Sequence, residues 1–270
     1  ICSGELGQSE NRVVSGSVIN GRESIGPYAY LGRYHNQICA IEEPNSSDRE
    51  LFDWALLGSK RFSKLGIFIS SMFKNNKFDW VTYLSSTSVY GNKNGEWVDE
   101  NSETLPTSSK GKARLRSEKL WMNLCKQNQM PIRIFRLAGI YSLEHNVINK
   151  LKNNTARIID KKNQFFSRIH TDDIAQALVK SIKQPSSGEV YNICDDYPCS
   201  NEEVTVYAAN LLKVPIPQKI KLDTIENEMS KSFYKDSKRV KNTKMKENLK
   251  VKLKYPTYKE GLSNICSHLS

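Results

Sequence analysis

The sequence predicts an α/β fold, a parallel sheet with helices on both faces and a small C-terminal lobe. Three observations carry that prediction. From Trp80 onward, β-prone runs alternate with segments of helical periodicity, the order of strand–helix–strand units. One run, residues 132–141, is almost continuously apolar and rich in β-branched residues, as a strand covered on both faces should be. The chain of 270 residues is also long enough to bury a substantial core.

Residues 80–86 (Trp-Val-Thr-Tyr-Leu-Ser-Ser) form the first β-prone run. A turn-rich loop follows over 91–106, with Asn92, Asn94, Gly95 and Asp99. Residues 110–127 then read as a long helix. At 100° per residue, Ala113, Ser117, Leu120 and Leu124 make its inward stripe. Lys110, Arg114 and Trp121 lie along the edge of that stripe, and Lys112, Arg116 and Lys119 point away. Pro131 opens the second strand. A helix over 172–183 places Ile174, Ala177, Leu178 and Ser181 at helical spacing, and Gly188 leads into a strand over 190–194. Ser200 is the N-cap of a further helix, with Glu203 at its third position and Val204, Tyr207, Ala208, Leu211 and Leu212 inward. The segment after Pro215 reads as a linker into a Lys-rich lobe.

The first 65 residues follow a different pattern. This is the expected place of the first strands of the sheet, yet no GxGxxG follows a strand here. Gly4 and Gly7 have no strand before them, and Gly16, Gly21 and Gly26 are too widely spaced. A strand over 37–42 and a helix over 48–62 are expected, without a phosphate cradle. The chain therefore divides into an N-terminal region 1–65, a core 66–200 and a helical, basic lobe 201–270.

Composition narrows the function classes. Apolar residues make up 38% and charged residues 26%, as in ordinary globular proteins. No apolar run approaches the ~18–20 residues needed to span a bilayer. Ile1-Cys2-Ser3-Gly4 has no basic start leading into an apolar stretch, so no secretory signal is expected and a cytoplasmic site is. Opening on Ile1 implies processing or a reading that begins within a gene. Cysteines 2, 39, 125, 194, 199 and 266 make no CxxC pair, which points to free thiols and no metal site. The net charge of +11 concentrates in residues 231–259, where eleven cations meet only Asp236 and Glu247. Nucleic-acid binding through phosphates is the distant alternative to a solvated Lys-rich face, because few aromatics interleave with the charges.

Tyr83-Leu84-Ser85-Ser86-Thr87-Ser88-Val89-Tyr90-Gly91 resembles the strand end of extended short-chain dehydrogenase/reductases, the NAD-dependent epimerase/dehydratase group. Trp97-Val98-Asp99-Glu100, the run from Phe135 to Tyr141, the run from Arg168 to Ala175, and Tyr191-Asn192-Ile193 follow in that family's order and spacing. The closing stretch, through Lys238-Arg239-Val240 and Tyr255-Pro256-Thr257-Tyr258, resembles an atypical branch. Together the likeness covers about residues 66–265.

The resemblance implies a Rossmann-like fold that binds NAD or NADP and acts as an oxidoreductase or epimerase on a small-molecule or sugar-linked substrate. Ser86 would polarise the reacting oxygen. Ser85 and Leu137 would meet the cofactor, and Arg168 and His170 the substrate. In active relatives a Tyr and a Lys four residues later exchange the proton. Counting back from Glu118, those positions hold Lys110 and Arg114.

Three readings of that pair stay open: an anion bound between them, a Lys110 amine acting as base, or an Arg114 partly neutralised by Glu118 with a solvated Lys110. Tyr90 is either a substitute proton donor or a packing residue. A non-catalytic nucleotide-binding or regulatory protein on the same scaffold is the alternative function. A homodimer stays open as its assembly.

Overall fold

The computed structural model describes residues 79–184, 186–225, 231 and 233–269, together with three short strands nearer the N-terminus. Those strands, β1 (Val13–Val14), β2 (Tyr30–Tyr34) and β3 (Gln37–Ile41), pair antiparallel in the order β1-β2-β3. The strand expected at 37–42 is β3. The helix expected at 48–62 lies outside the described residues.

The chain forms two compact units, each built from non-contiguous segments. One holds the chain up to Val89, Ser109–Arg136 and Ser181–Tyr191; the other holds Tyr90–Ser108, Leu137–Lys180 and Asn192–Ser270.

The first unit is organised by β4 (Val81–Ser86), α1 (Ser109–Asn128) and β6 (Ile132–Leu137), with β10 (Glu189–Ile193) completing a sheet of order β10-β6-β4. These strands run the same way. Val81 N–H donates to the Pro131 carbonyl at 3.1 Å and Gly188 N–H to Ile132 at 2.8 Å, so all three begin at one edge. A 20-residue crossover helix suits a parallel β4–β6 pair. Val81, Tyr83, Ile132 and Ile134 meet Trp121, Cys125 and Met130 in the core. Tyr83 stacks on Trp121 with ring centroids 6.0 Å apart.

The buried face of α1 is rotated from the expected stripe. Ala113 and Ser117 are buried, but Arg114, Glu118, Trp121 and Cys125 share the interior with them, while Leu120 and Leu124 are only half-buried. A buried ion pair sets the rotation, which an apolar count cannot register. Lys112, Arg116 and Lys119 are exposed, as expected.

In the second unit β5 (Trp97–Val98) pairs with β12 (Arg239–Val240), β7 (Gly139–Tyr141) with β9 (Arg168–His170), and β8 (Ile158–Ile159) with β11 (Lys219–Ile220), all parallel. The run 132–141 is therefore two strands and not one. Ala138 N–H turns to the Ile193 carbonyl at 3.0 Å and Gly139 N–H to Ser167 at 3.0 Å, which moves the chain onto a new partner. The segment after Pro215 likewise contributes β11 instead of only connecting.

Among the helices α2 (Val147–Lys152), α3 (Thr171–Ile182), α4 (Asn201–Leu212), α5 (Thr243–Asn248) and α6 (Tyr258–Leu269), α4 packs on α2, α6 and β8, and α6 also meets β9. Ser200 caps α4 by accepting Glu203 N–H at 3.0 Å. The Glu203 carboxylate accepts the Tyr258 hydroxyl at 3.0 Å, joining α4 to α6. Val204, Ala208 and Ala209 pack with Tyr258, Leu262 and Ile265 as this unit's core. Several lysines of 231–259 meet carboxylates from elsewhere in the chain, Lys246 with Asp196 at 2.5 Å and Lys254 with Asp172 at 2.8 Å. No helix among the described residues is long and apolar enough to cross a membrane.

Candidate functional site

Parallel α/β sheets present their ligands at the C-terminal ends of the strands, and β4 ends in Ser85 and Ser86. The two serines are held differently. Ser85 is fully buried, and its hydroxyl donates to Glu118 Oε1 at 2.5 Å. The same carboxylate takes Arg136, with Nη2 to Oε2 at 2.8 Å and Nε to Oε1 at 3.1 Å. A forked guanidinium–carboxylate pair inside the protein satisfies both desolvated charges at once. Ser86 is half-buried, and its Oγ accepts the N–H of Ser88 at 3.2 Å. That contact uses a lone pair and leaves the Ser86 O–H proton to donate.

Arg114 is buried, and Nη1 donates to the Tyr83 hydroxyl at 3.2 Å and to the Leu84 carbonyl at 3.1 Å. A planar guanidinium can bridge two acceptors on β4 where a lysine would supply a single point charge. Lys110, one turn earlier on α1, is exposed. The structure thus sets Ser85, Ser86 and Arg114 around the end of β4 with α1 beside it.

In the second unit Leu137 is buried at the last position of β6. Arg168 donates to the carbonyls of Phe166 at 2.9 Å and Cys199 at 3.3 Å, and to Cys199 Sγ at 3.2 Å. His170 is buried, and its Nδ1 accepts the Asp172 N–H at 3.1 Å. Both side chains are committed to their own unit. Tyr90 is fully buried and donates to Asn192 Oδ1 at 2.7 Å.

Burial pushes the Asp195 carboxyl up to about 8, against the opposing pull of Arg168. Burial also pushes the Cys199 thiol up to about 12, which removes it as a ready nucleophile. Among the described residues no His, Cys, Asp and Glu side chains gather as a metal site would.

The model of the NAD dependent epimerase/dehydratase family matches residues 67–194. A functionally unknown conserved protein from Silicibacter pomeroyi shares 40% identity, with a TM-score of 0.70 over 77% of this chain and 72% of that one. Residues 67–194 belong to the NAD-dependent epimerase/dehydratase family.

Solved enzymes of more distant sequence share the fold. A UDP-glucuronic acid 4-epimerase from Bacillus cereus, in complex with UDP-glucuronic acid and NAD, is 22% identical, with a TM-score of 0.62 over 74% of this chain and 65% of its own. A dTDP-glucose 4,6-dehydratase from Bacillus anthracis, in complex with NAD, is 18% identical, with a TM-score of 0.63 over 84% and 70%.

A separate likeness spans 82 residues, 30% of this chain. It is 45% identical to one component polypeptide of the Na(+)-translocating NADH-quinone reductase of Teredinibacter turnerae. The chain spans about a fifth of the length of the curated relatives it matches, 18% in this case.

The family's Rossmann-like α/β architecture accounts for where the polar groups of the first unit fall. Sequence reasoning missed Arg136 and the role of Glu118. Their signal was present as arginine inside a mostly apolar strand, where a charge needs a buried partner. The nearest acidic residue on the covering helix supplies it.

Proposed function

We propose that the chain is an NAD(P)-binding, epimerase/dehydratase-like oxidoreductase whose substrate is a small, sugar-linked alcohol or carbonyl compound. NAD or NADP, when bound, supplies the acceptor and donor of hydride. The observation that carries this reading is Ser86, half-buried at the end of β4, with its acceptor side engaged by Ser88 and its O–H proton left to donate. A hydroxyl fixed in this way can hydrogen-bond the reacting oxygen and stabilise charge developing on it. Ser85 contributes through its backbone, since its hydroxyl is given to Glu118. Leu137 is proposed to line the cofactor, and Lys110, exposed in the first turn of α1, to lie toward anionic groups of the ligand.

A second reading, a nucleotide sensor without turnover, is favoured by Arg114, whose guanidinium is buried against β4 and is not presented to a ligand. The 82-residue likeness to the quinone-reductase component supports no activity by itself.

Titration with NADH and with NADPH, followed by nicotinamide fluorescence, should show saturable binding. No binding at millimolar cofactor would remove both readings. Where cofactor binds, hydride transfer that is lost in Ser86→Ala and altered in Lys110→Ala marks the enzyme. Unchanged affinity with no turnover on any carbonyl compound or sugar nucleotide marks the sensor.

A further inference from the structure

His170 closes β9 and stands directly before α3. Its Nδ1 accepts the backbone N–H of Asp172 at 3.1 Å, the contact that a Ser or Asp side chain makes when it caps a helix. A ring nitrogen that accepts a hydrogen bond carries no proton, so the cap exists only in the neutral tautomer with hydrogen on Nε2. The buried ring meets Tyr141 edge-on, with centroids 5.1 Å apart, and Tyr255 at 4.3 Å.

The same first turn of α3 holds the segment that carries Tyr255. Asp173 is fully buried and accepts the N–H groups of Lys254 at 2.7 Å and Tyr255 at 3.0 Å. Asp172 accepts Lys254 Nζ at 2.8 Å, while its other oxygen lies 3.7 Å from His170 Nδ1. The charged groups around the ring are therefore Asp172 and Asp173 on α3, Lys254 on the 249–257 segment, and Glu144 after β7.

We infer that His170 is an acid-sensitive latch: a proton taken from solvent onto Nδ1 abolishes the cap on α3, turns the new N–H toward the Asp172 carboxylate, and displaces Lys254 from it. The segment around Tyr255 then loses one of its tethers to α3, while Asp173 and Gln176 keep theirs to the backbone N–H groups of Lys252, Lys254 and Tyr255. Nε2 keeps its hydrogen and no covalent bond other than the new N–H changes. Burial holds the ring below its ordinary value of 6.5 in spite of the two aspartates, so the closed latch resists protonation. The unfolded chain binds that proton at higher pH than the closed form does. Stability of the closed form is therefore complete above 6.5 and is lost as pH falls below it. This device is independent of the proposed cofactor.

Amide hydrogen exchange of the whole chain, corrected for the intrinsic pH dependence, tests it between neutral pH and the onset of acid unfolding. The amides of Asp172, Lys254 and Tyr255 should exchange faster as pH falls, by up to about tenfold per pH unit. His170→Asn, which keeps a short acceptor that cannot titrate, should remove that acceleration and leave protection at neutral pH. Equal acceleration in His170→Asn and in the wild type, or none in the wild type, would overturn the latch. Should His170→Asn not fold, Asp172→Asn serves instead: the inference requires a weaker acid response at Lys254, and an unchanged one overturns it.

Discussion

At the scale of single residues, the side chains that matter most around β4 are charged ones inside the core. Glu118 and Arg136 are each more than nine-tenths buried and 2.8 Å apart, with Ser85 completing the carboxylate's contacts. Breaking such a pair from one side leaves an uncompensated buried charge, which costs about 3–5 kcal/mol. Glu118→Ala is therefore expected to lower the midpoint of chemical unfolding sharply. The double change Glu118→Ala with Arg136→Leu should recover much of that loss, since neither ion then remains to be desolvated. Denaturant titration of the three proteins measures both terms, and a double variant no better than Glu118→Ala alone would contradict the pairing. Arg133 offers a contrast on the same strand. It is fully buried, donates Nε to Ser186 Oγ at 2.8 Å and also reaches the Gln184 carbonyl, and burial lowers its affinity for its proton.

At the scale of elements, backbone geometry decides which substitutions the loops accept. Gly91 has φ +68°, and a Cβ there would lie 1.8 Å from the Leu105 carbonyl oxygen. Gly188 has a similar φ of +75°, but the nearest atom to its Cβ would be the flexible Met122 Cε at 3.7 Å. Gly188→Ala should cost only the left-handed penalty of about 1–2 kcal/mol. Gly91→Ala should cost distinctly more, because main chain must move. Thermal unfolding of the two variants side by side checks the order, and equal losses would refute it.

Elements of this kind were legible in the sequence where local chemistry fixes them: α1 from its length and periodicity, α4 from Ser200, β10 from Gly188. The break between β6 and β7 was not legible, because it is made by Ala138 and Gly139 bonding to Ile193 and Ser167, partners far along the chain. The buried face of α1 was misplaced for the same kind of reason, since only the fold reveals that Glu118 answers Arg136. Of the candidate site, Ser86 was named from the resemblance, and Arg168 and His170 are tied to carbonyl and amide groups that no spacing rule displays.

At the scale of the whole molecule, two kinds of titration pull stability in opposite directions. Toward acid, His170 is held below 6.5 by burial, so its contribution is lost as pH falls beneath that value. Toward alkali, burial raises the carboxyls of Glu100, Asp173 and Asp195, and the last reaches about 8. A carboxyl raised in this way favours folding fully below the unfolded value of 3.8, and its contribution is lost as pH climbs through about 8. Asp195 Oδ1 accepts the Tyr197 N–H at 3.2 Å, whereas Oδ2 has no hydrogen-bond partner, so the pull of Arg168 offsets a full negative charge there only in part. Asp195→Asn keeps an acceptor for Tyr197 and removes the titration. The stability of the wild type should therefore fall from pH 5 to pH 8 relative to Asp195→Asn, by up to about 1.4 kcal/mol per pH unit, and its melting temperature with it. Parallel melting curves for the two proteins across that range would mean that Asp195 is ionised in the fold throughout, and that its burial is relieved by a partner.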